Sequence, residues 1–128
     1  IHTAREILNE FREDRIVWIM GSDAFSEIDS WFEWEEFIDL VNILVMARPG
    51  SKIDITSKAQ SLIKDRQVAD IGLLEEGAGN ILIVDIDPVN ISSTQVRKNI
   101  GCGEGVGDLI LEDVSDYIDA GKLYTKNI

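Results

Sequence analysis

The chain has 128 residues, with 12 Lys and Arg against 24 Asp and Glu, and a formal net charge of −12 with its one histidine neutral. That length allows one domain or part of one, and an apolar content of 45% is ordinary for a globular core and too high for a disordered chain. The acidic balance excludes a general nucleic-acid binder, which needs a basic face to displace counterions from phosphates, and it disfavours an anionic membrane surface.

In chain order, Thr3-Ala4-Arg5-Glu6 has the form of a capping box, in which a hydroxyl and a carboxylate three residues on satisfy each other's backbone donors. A helix is predicted to follow, with Ile7, Leu8 and Phe11 on one face and Arg5, Glu10, Arg12 and Glu13 solvated. Ile16-Val17-Trp18-Ile19-Met20 is a continuous apolar run too short for a helix, and reads as a strand of a parallel sheet covered on both faces. Ser30-Trp31-Phe32-Glu33 repeats the capping-box form, and Trp31, Trp34, Phe37, Ile38 and Val41 fall at helical spacing. Ile43-Leu44-Val45-Met46 is a second buried strand, ended by Arg48-Pro49-Gly50. Residues 57–68 read as a helix through Ala59, Leu62 and Ile63, and Gly77-Ala78-Gly79-Asn80 turns into a third strand, Ile81-Leu82-Ile83-Val84. Residues 92–100 read as a helix, and residues 109–120 as one or two more, closed by Gly121 as a left-handed cap. Alternating strands and helices imply parallel strands joined by right-handed crossovers.

Cys102 is the only cysteine, so no intrachain disulfide and no thiolate metal cluster can form, which fits a reducing compartment. No apolar run approaches the roughly 20 residues of a membrane span, and residues 1–10 lack the basic-then-apolar plan of a signal peptide. The expected location is the cytoplasm. The chain opens at Ile1 within a helix signal, and three central strands are few for such a sheet, so a piece of something longer is expected.

In open α/β sheets ligands bind beyond the carboxyl ends of the strands, which directs attention to Gly21-Ser22-Asp23-Ala24, Ala47-Arg48-Pro49-Gly50 and Asp85 through Arg97. Ile91-Ser92-Ser93-Thr94-Gln95-Val96-Arg97 puts hydroxyls at a helix start, where free N–H groups and the positive end of the helix dipole favour an anion. Arg97 follows Thr94 by three residues and Ser93 by four, so its guanidinium can rise on the same face as those hydroxyls. A phosphate group fits there; so does a plain N-cap built from Ser92 and Gln95, with Arg97 solvated. Asp23 follows a strand and a glycine, a place where a carboxylate can accept from ribose hydroxyls or cap the next turn. Trp31 can offer a flat face to a ring, whereas Trp34, Phe37 and Val41 read as core. Arg48 projects from a strand end as a ligand contact or a solvated loop residue.

Other features carry less. Gly101-Cys102-Gly103-Glu104-Gly105-Val106-Gly107 follows a helix and contains an acid, so it reads as an interhelical connection and not a phosphate loop. Asp85 and Asp87 share a strand face and could hold Mg²⁺, though carboxylates at a strand end are commonly just solvated, and His2 implies no metal. From Asp23 to Asp39 there are seven acids and no base, read as the wet side of a helix and loop.

In this order the pieces resemble the bacterial nicotinate mononucleotide adenylyltransferase family, within the nucleotidyltransferases. The resemblance runs through Thr3, Gly21-Ser22-Asp23-Ala24, Trp31 to Trp34, Ala47-Arg48-Pro49-Gly50 and Ile91 to Arg97. It implies an α/β fold, a Rossmann-like parallel sheet with flanking helices lacking its first strands, with residues 1–128 the carboxyl-terminal part of a single nucleotidyltransferase domain. It implies transfer of the adenylyl group of ATP to nicotinate mononucleotide, giving deamido-NAD and pyrophosphate, with Mg²⁺ accompanying ATP. Carried over residue by residue, Ser92, Ser93, Thr94 and Arg97 bind ATP phosphates, with Arg97 catalytic. Gly21 and Asp23 serve the adenosine side, Trp31 stacks on the pyridine ring, Thr3 lies near the nicotinate carboxylate, and Arg48 borders the nucleotide; no residue is assigned to metal. The family's G-x-F-x-P-x-H-x-G-H motif, whose histidines bind ATP phosphates, does not occur in the chain, and Ile1-His2 stands where the family commonly has Ser-Tyr. The 128 residues alone are therefore expected to be inactive, and their first strand to present an open edge compatible with homo-oligomers. Sister activities on nicotinamide mononucleotide or phosphopantetheine, or a non-catalytic nucleotide-binding or assembly role, are the alternatives.

Overall fold

Four short parallel strands carry the fold. A computed structural model describes residues 1–48, 53, 57–87 and 89–125, grouped in two compact units, Ile1–Pro88 and Val89–Ile128. Pro49 and Gly50, expected to end the second strand, lie outside the described residues.

The first unit runs α1 (His2–Glu10), β1 (Val17–Gly21), α2 (Ser22–Ser26), a 3₁₀ turn at Ile28–Ser30, α3 (Trp34–Leu40), β2 (Asn42–Ala47), α4 (Lys58–Arg66), β3 (Gln67–Val68), a 3₁₀ turn at Ile71–Leu74 and β4 (Ile81–Asp85). The sheet order is β1-β2-β4-β3, and every pairing is parallel. This is the Rossmann-like arrangement of sheet and flanking helices expected from strand-helix alternation. The two-residue β3 supplies a fourth strand, because the helix expected over 57–68 stops at Arg66 and its last residues pair with β4.

Register aligns Trp18 with Ile43 and Ile43 with Ile81, and likewise Met20 with Val45 and Val45 with Ile83. These residues share one face, on which Ile43, Val45 and Ile81 are buried with Phe25, Ile28, Phe37 and Ile38. The opposite face is unevenly covered: Leu82 is buried, whereas Ile19 is 60% exposed and Val17 39%, in a strand at the end of the sheet order, as expected of a sheet that lacks its first strands.

Asn42 is a fully buried polar side chain in the described part of this unit, and every polar atom of it is used. Its Nδ2 donates to the carbonyls of Leu74 and Gly77, both at 2.8 Å, and its Oδ1 accepts from the Asn80 N–H at 3.0 Å. The amide thereby fastens the start of β2 to the loop that leads into β4. In that loop Gly79 adopts φ +85°, a left-handed conformation that favours glycine, with the tip of the Arg66 side chain beside it.

Neither expected capping box forms. α1 starts before Thr3, with the Arg5 N–H bonded to the Ile1 carbonyl at 3.0 Å and no side-chain cap, which puts Thr3 inside the first turn. Phe11 lies beyond the helix and is exposed, while Ala4 is the buried residue of α1. Ser30 ends a 3₁₀ turn with its hydroxyl donating to the Glu27 carbonyl at 2.7 Å. Glu33 precedes α3 at φ 49°, with no side-chain cap; its carboxylate pairs with Arg5 instead. Trp31 therefore lies before α3 and not on its first turn.

The second unit contains α5 (Ser93–Gly101) and α6 (Glu112–Ala120), joined by the glycine-containing connection. Gly121 is right-handed at φ −81°, correcting the expected left-handed cap; the reversal falls one residue later, at Lys122 with φ 49°.

Candidate functional site

Gly21 closes β1 opposite Met46 of β2, so the segments leaving these two strands depart from the same, carboxyl end of the sheet. Asp23 stands in the first turn of α2 with its side chain exposed, and Arg48, also exposed, follows β2 directly. Gly21 has φ −75° and ψ 160°, and an added Cβ would meet no atom within 4 Å, so the space above this strand end is open. Asp85 closes β4 opposite Ala47, exposed at the same end.

Trp31 is half-buried and packs against the core. Its ring centroid is 5.5 Å from Phe37 and 6.5 Å from Trp18, and Trp18 meets Phe37 edge-on at 5.2 Å. Beside this cluster, His2 stacks on Phe32 with centroids 6.3 Å apart. Arg5 reaches Glu36 and Glu33, so the first turns of α1, Thr3 included, run along the segment that carries Trp31.

The acidic run from Asp23 to Asp39 is a wet face, as expected, with all seven acids exposed, but three of them are paired. Glu33 and Glu36 bind Arg5, and Asp39 binds Arg66 Nη2 at 2.7 Å. The Arg5 guanidinium is held above its ordinary value, chiefly by its hydrogen bond to Glu36, with the charges of Glu36 and Glu33 adding to it. A run of acids without a base was the signal that cations from elsewhere in the chain must meet it.

In the second unit, Ser92 is the N-cap of α5, its hydroxyl accepting from the Gln95 N–H at 3.2 Å. The other half of the capping box is missing, since the Gln95 amide donates to Asn99 Oδ1 at 2.6 Å. The cap leaves Ser93 and Arg97, one turn apart, to line a cleft of about 340 Å³ with Ser92, Ile91, Val96 and Tyr124. Thr94 is exposed on α5 and does not line that cleft. Arg97 lies over the Tyr124 ring, 5.6 Å from its centroid. Nothing in the local sequence pattern singled out Tyr124, because its contact depends on how the chain turns after α6.

The cleft is lined mainly by apolar side chains, with Ser92, Ser93 and Arg97 as its polar members beside the first turn of α5, a combination that could receive a phosphate-bearing ligand. Among the described residues, no group of three or more His, Cys, Asp and Glu stands close enough to hold a metal ion, and no helix is long and apolar enough to cross a membrane.

A family model described as cytidylyltransferase-like matches residues 1–99. A protein of Shewanella baltica named "Probable nicotinate-nucleotide adenylyltransferase" is 34% identical over 119 residues, covering 88% of this chain and 55% of the relative. One of the same name from Pseudoalteromonas atlantica is 30% identical over 125 residues, covering 97% of this chain and 57% of the relative. The chain thus spans little more than half the length of these curated relatives. Among solved structures, Plasmodium falciparum nicotinic acid mononucleotide adenylyltransferase complexed with APC is similar at TM-score 0.61 and 21% identity, over 94% of this chain and 55% of that one. The same enzyme complexed with NaAD gives TM-score 0.60 at 21% identity, over 94% and 54%. At that identity the likeness shows the fold.

Proposed function

The chain belongs to the cytidylyltransferase-like family, and on that premise we propose that the protein transfers the adenylyl group of ATP to nicotinate mononucleotide, giving deamido-NAD and pyrophosphate. The observation that carries the transfer chemistry is the convergence of Ser93 and Arg97 on one cleft at the start of α5. The choice of acceptor is supported by relatives of that name across 88% and 97% of the chain.

The reaction forms a bond between the phosphate oxygen of the mononucleotide and the α-phosphorus of ATP, and breaks the bond from that phosphorus to the oxygen bridging to the β-phosphate. Pyrophosphate leaves with that oxygen and no enzyme side chain is covalently modified. Such a step needs alignment and stabilisation of charge on the phosphoryl oxygens. In this reading the α5 N–H groups, Ser93, Thr94 and Arg97 supply donors to phosphate, with Ser92 fixing the helix start. Gly21 and Asp23 serve the adenosine, Trp31 and Thr3 the pyridine nucleotide, and Arg48 its border. Mg²⁺ belongs to the reading as part of the MgATP substrate, coordinated by the polyphosphate. A cytoplasmic, homo-oligomeric protein that uses neither nucleic acid nor membrane completes it.

The experiment is turnover by the protein in its natural length with MgATP and each of three acceptors: nicotinate mononucleotide, nicotinamide mononucleotide and phosphopantetheine. Deamido-NAD and pyrophosphate in equal amounts are expected, fastest with the first. Faster turnover of either other acceptor, or nucleotide binding without product from any of them, overturns the assignment. Arg97→Ala should lower kcat/KM by at least about tenfold through loss of a charge-assisted contact.

A further inference from the structure

The route by which the chain brings Tyr124 to Arg97 is unusual. After α6 the Gly121 N–H bonds the Tyr117 carbonyl and the Leu123 N–H bonds the Ile118 carbonyl, each at 3.0 Å, which closes the helix. The Thr125 hydroxyl then donates back to the Lys122 carbonyl at 2.9 Å. Within this turn both Lys122, at φ 49°, and Tyr124, at φ 60°, are left-handed, although neither is glycine. Two such residues in three positions persist only where their surroundings hold them. The turn also lies close to α5: a Cβ on Gly101, the last residue of that helix, would stand 3.5 Å from the Tyr124 carbonyl oxygen.

The outcome of that turn is a ring placed against a guanidinium, 5.6 Å from carbon to centroid, at the cleft that Ser92 and Ser93 also line. Among the described residues no carboxylate pairs with Arg97. The ring attracts the cation through the negative face of its π system and consumes none of the five N–H donors, which remain available to an anion.

We propose that Tyr124 is a positioning residue: its ring holds the Arg97 guanidinium at the mouth of the cleft, ready to meet phosphate. This rests on the reading of Arg97 as a phosphate contact. An arginine left to swing must be immobilised when ligand binds, and a ring that already restricts it lessens that cost.

The test uses the protein in its natural length and compares Tyr124→Asn, which removes the ring but tolerates left-handed backbone, with Tyr124→Phe, which keeps the ring. Tyr124→Asn should raise KM for MgATP about two- to fivefold, the scale of an exposed cation–π contact, with a smaller change in kcat. Tyr124→Phe should restore the wild-type value, and adding Tyr124→Asn to Arg97→Ala should have no further effect. An unchanged KM in Tyr124→Asn, failure of phenylalanine to restore it, or additive effects in the double variant overturns the positioning role while leaving Arg97 in place. Wild-type kinetics in Arg97→Ala alone sinks the reading beneath it. Should Tyr124→Asn fail to fold, the NMR shift of the Arg97 δ-protons in the wild-type protein decides: an upfield ring-current shift supports the contact, and an ordinary shift overturns it.

Discussion

Arg5 donates from Nε and Nη2 to the two carboxylate oxygens of Glu36, at 3.1 and 2.5 Å, across 31 residues of sequence. The same Nη2 lies 3.1 Å from Glu33, whose left-handed backbone opens α3. One guanidinium thus fixes α1 against the segment that carries Trp31. Because the pair is exposed, Arg5→Gln should change global stability little. Its expected effect is local: KM for the pyridine nucleotide should rise roughly two- to fivefold, the scale of an exposed ion pair, with KM for MgATP unchanged. Equal effects on both substrates would show that the fork does not act on the Trp31 side.

The raised Arg5 value also has a sign. A base whose folded value is raised contributes stability that is fully present below its unfolded value and is lost only as pH climbs through the folded one. For an arginine that window lies above the neutral range. The stability difference between wild type and Arg5→Gln should therefore stay flat from about pH 7 to pH 10. Chemical denaturation at several pH values checks this, and a difference that shrinks within that range contradicts it.

Asn42 presents a larger energetic target. Its amide satisfies two carbonyls and one N–H. Asn42→Ala strands these groups beside a cavity, and each buried polar group left without a partner costs about 1–3 kcal/mol. A loss of about 3 kcal/mol or more is expected in urea denaturation. A loss under about 1 kcal/mol would mean that water reaches the three backbone groups.

The strands were legible because four or five consecutive apolar residues bounded by polar ones leave little alternative, and β1, β2 and β4 lie where those runs fall. The pairing of Ser93 with Arg97 was legible for a related reason, since four residues along a helix translate directly into a shared face, whereas Thr94, expected on that face, does not line the cleft. What escaped depends on contacts between distant residues. Both capping boxes fitted the local pattern, yet α1 starts before Thr3 and Glu33 is held by Arg5, a competition invisible within a four-residue window. Nothing in the sequence around Asn42 singles it out, since its three partners lie more than thirty positions away. β3 has two residues, too few to display a period of its own.

The uneven cover of the sheet predicts unequal costs for similar changes. Val45 is completely buried on the packed face, whereas Ile19 is 60% exposed on the other. Val45→Ala should cost about 2 kcal/mol, from lost burial and the cavity left behind. Ile19→Ala, which removes more atoms, should cost under about 1 kcal/mol, because most of its surface is never withdrawn from water. Thermal denaturation of the two variants compares them directly; a larger loss for Ile19→Ala would show that its face is covered in solution.

Gly21 separates fold from function more cleanly than any other candidate position. Its backbone, at φ −75° and ψ 160°, is available to every residue, and an added methyl would touch nothing within 4 Å. The protein alone gives no steric reason for glycine there. Gly21→Ala should fold normally, and the reduced entropy of the unfolded chain should stabilise it by up to about 1 kcal/mol. If the adenosine lies across the carboxyl end of β1, however, the methyl occupies ligand space and pushes the nucleotide from its place. Displacement of reacting groups by even an ångström is costly, so kcat/KM for MgATP should fall roughly tenfold or more. The pair of measurements is a thermal midpoint and a turnover assay on the same preparation. A raised or unchanged midpoint with lost turnover places nucleotide over Gly21, whereas full activity removes Gly21 from the site.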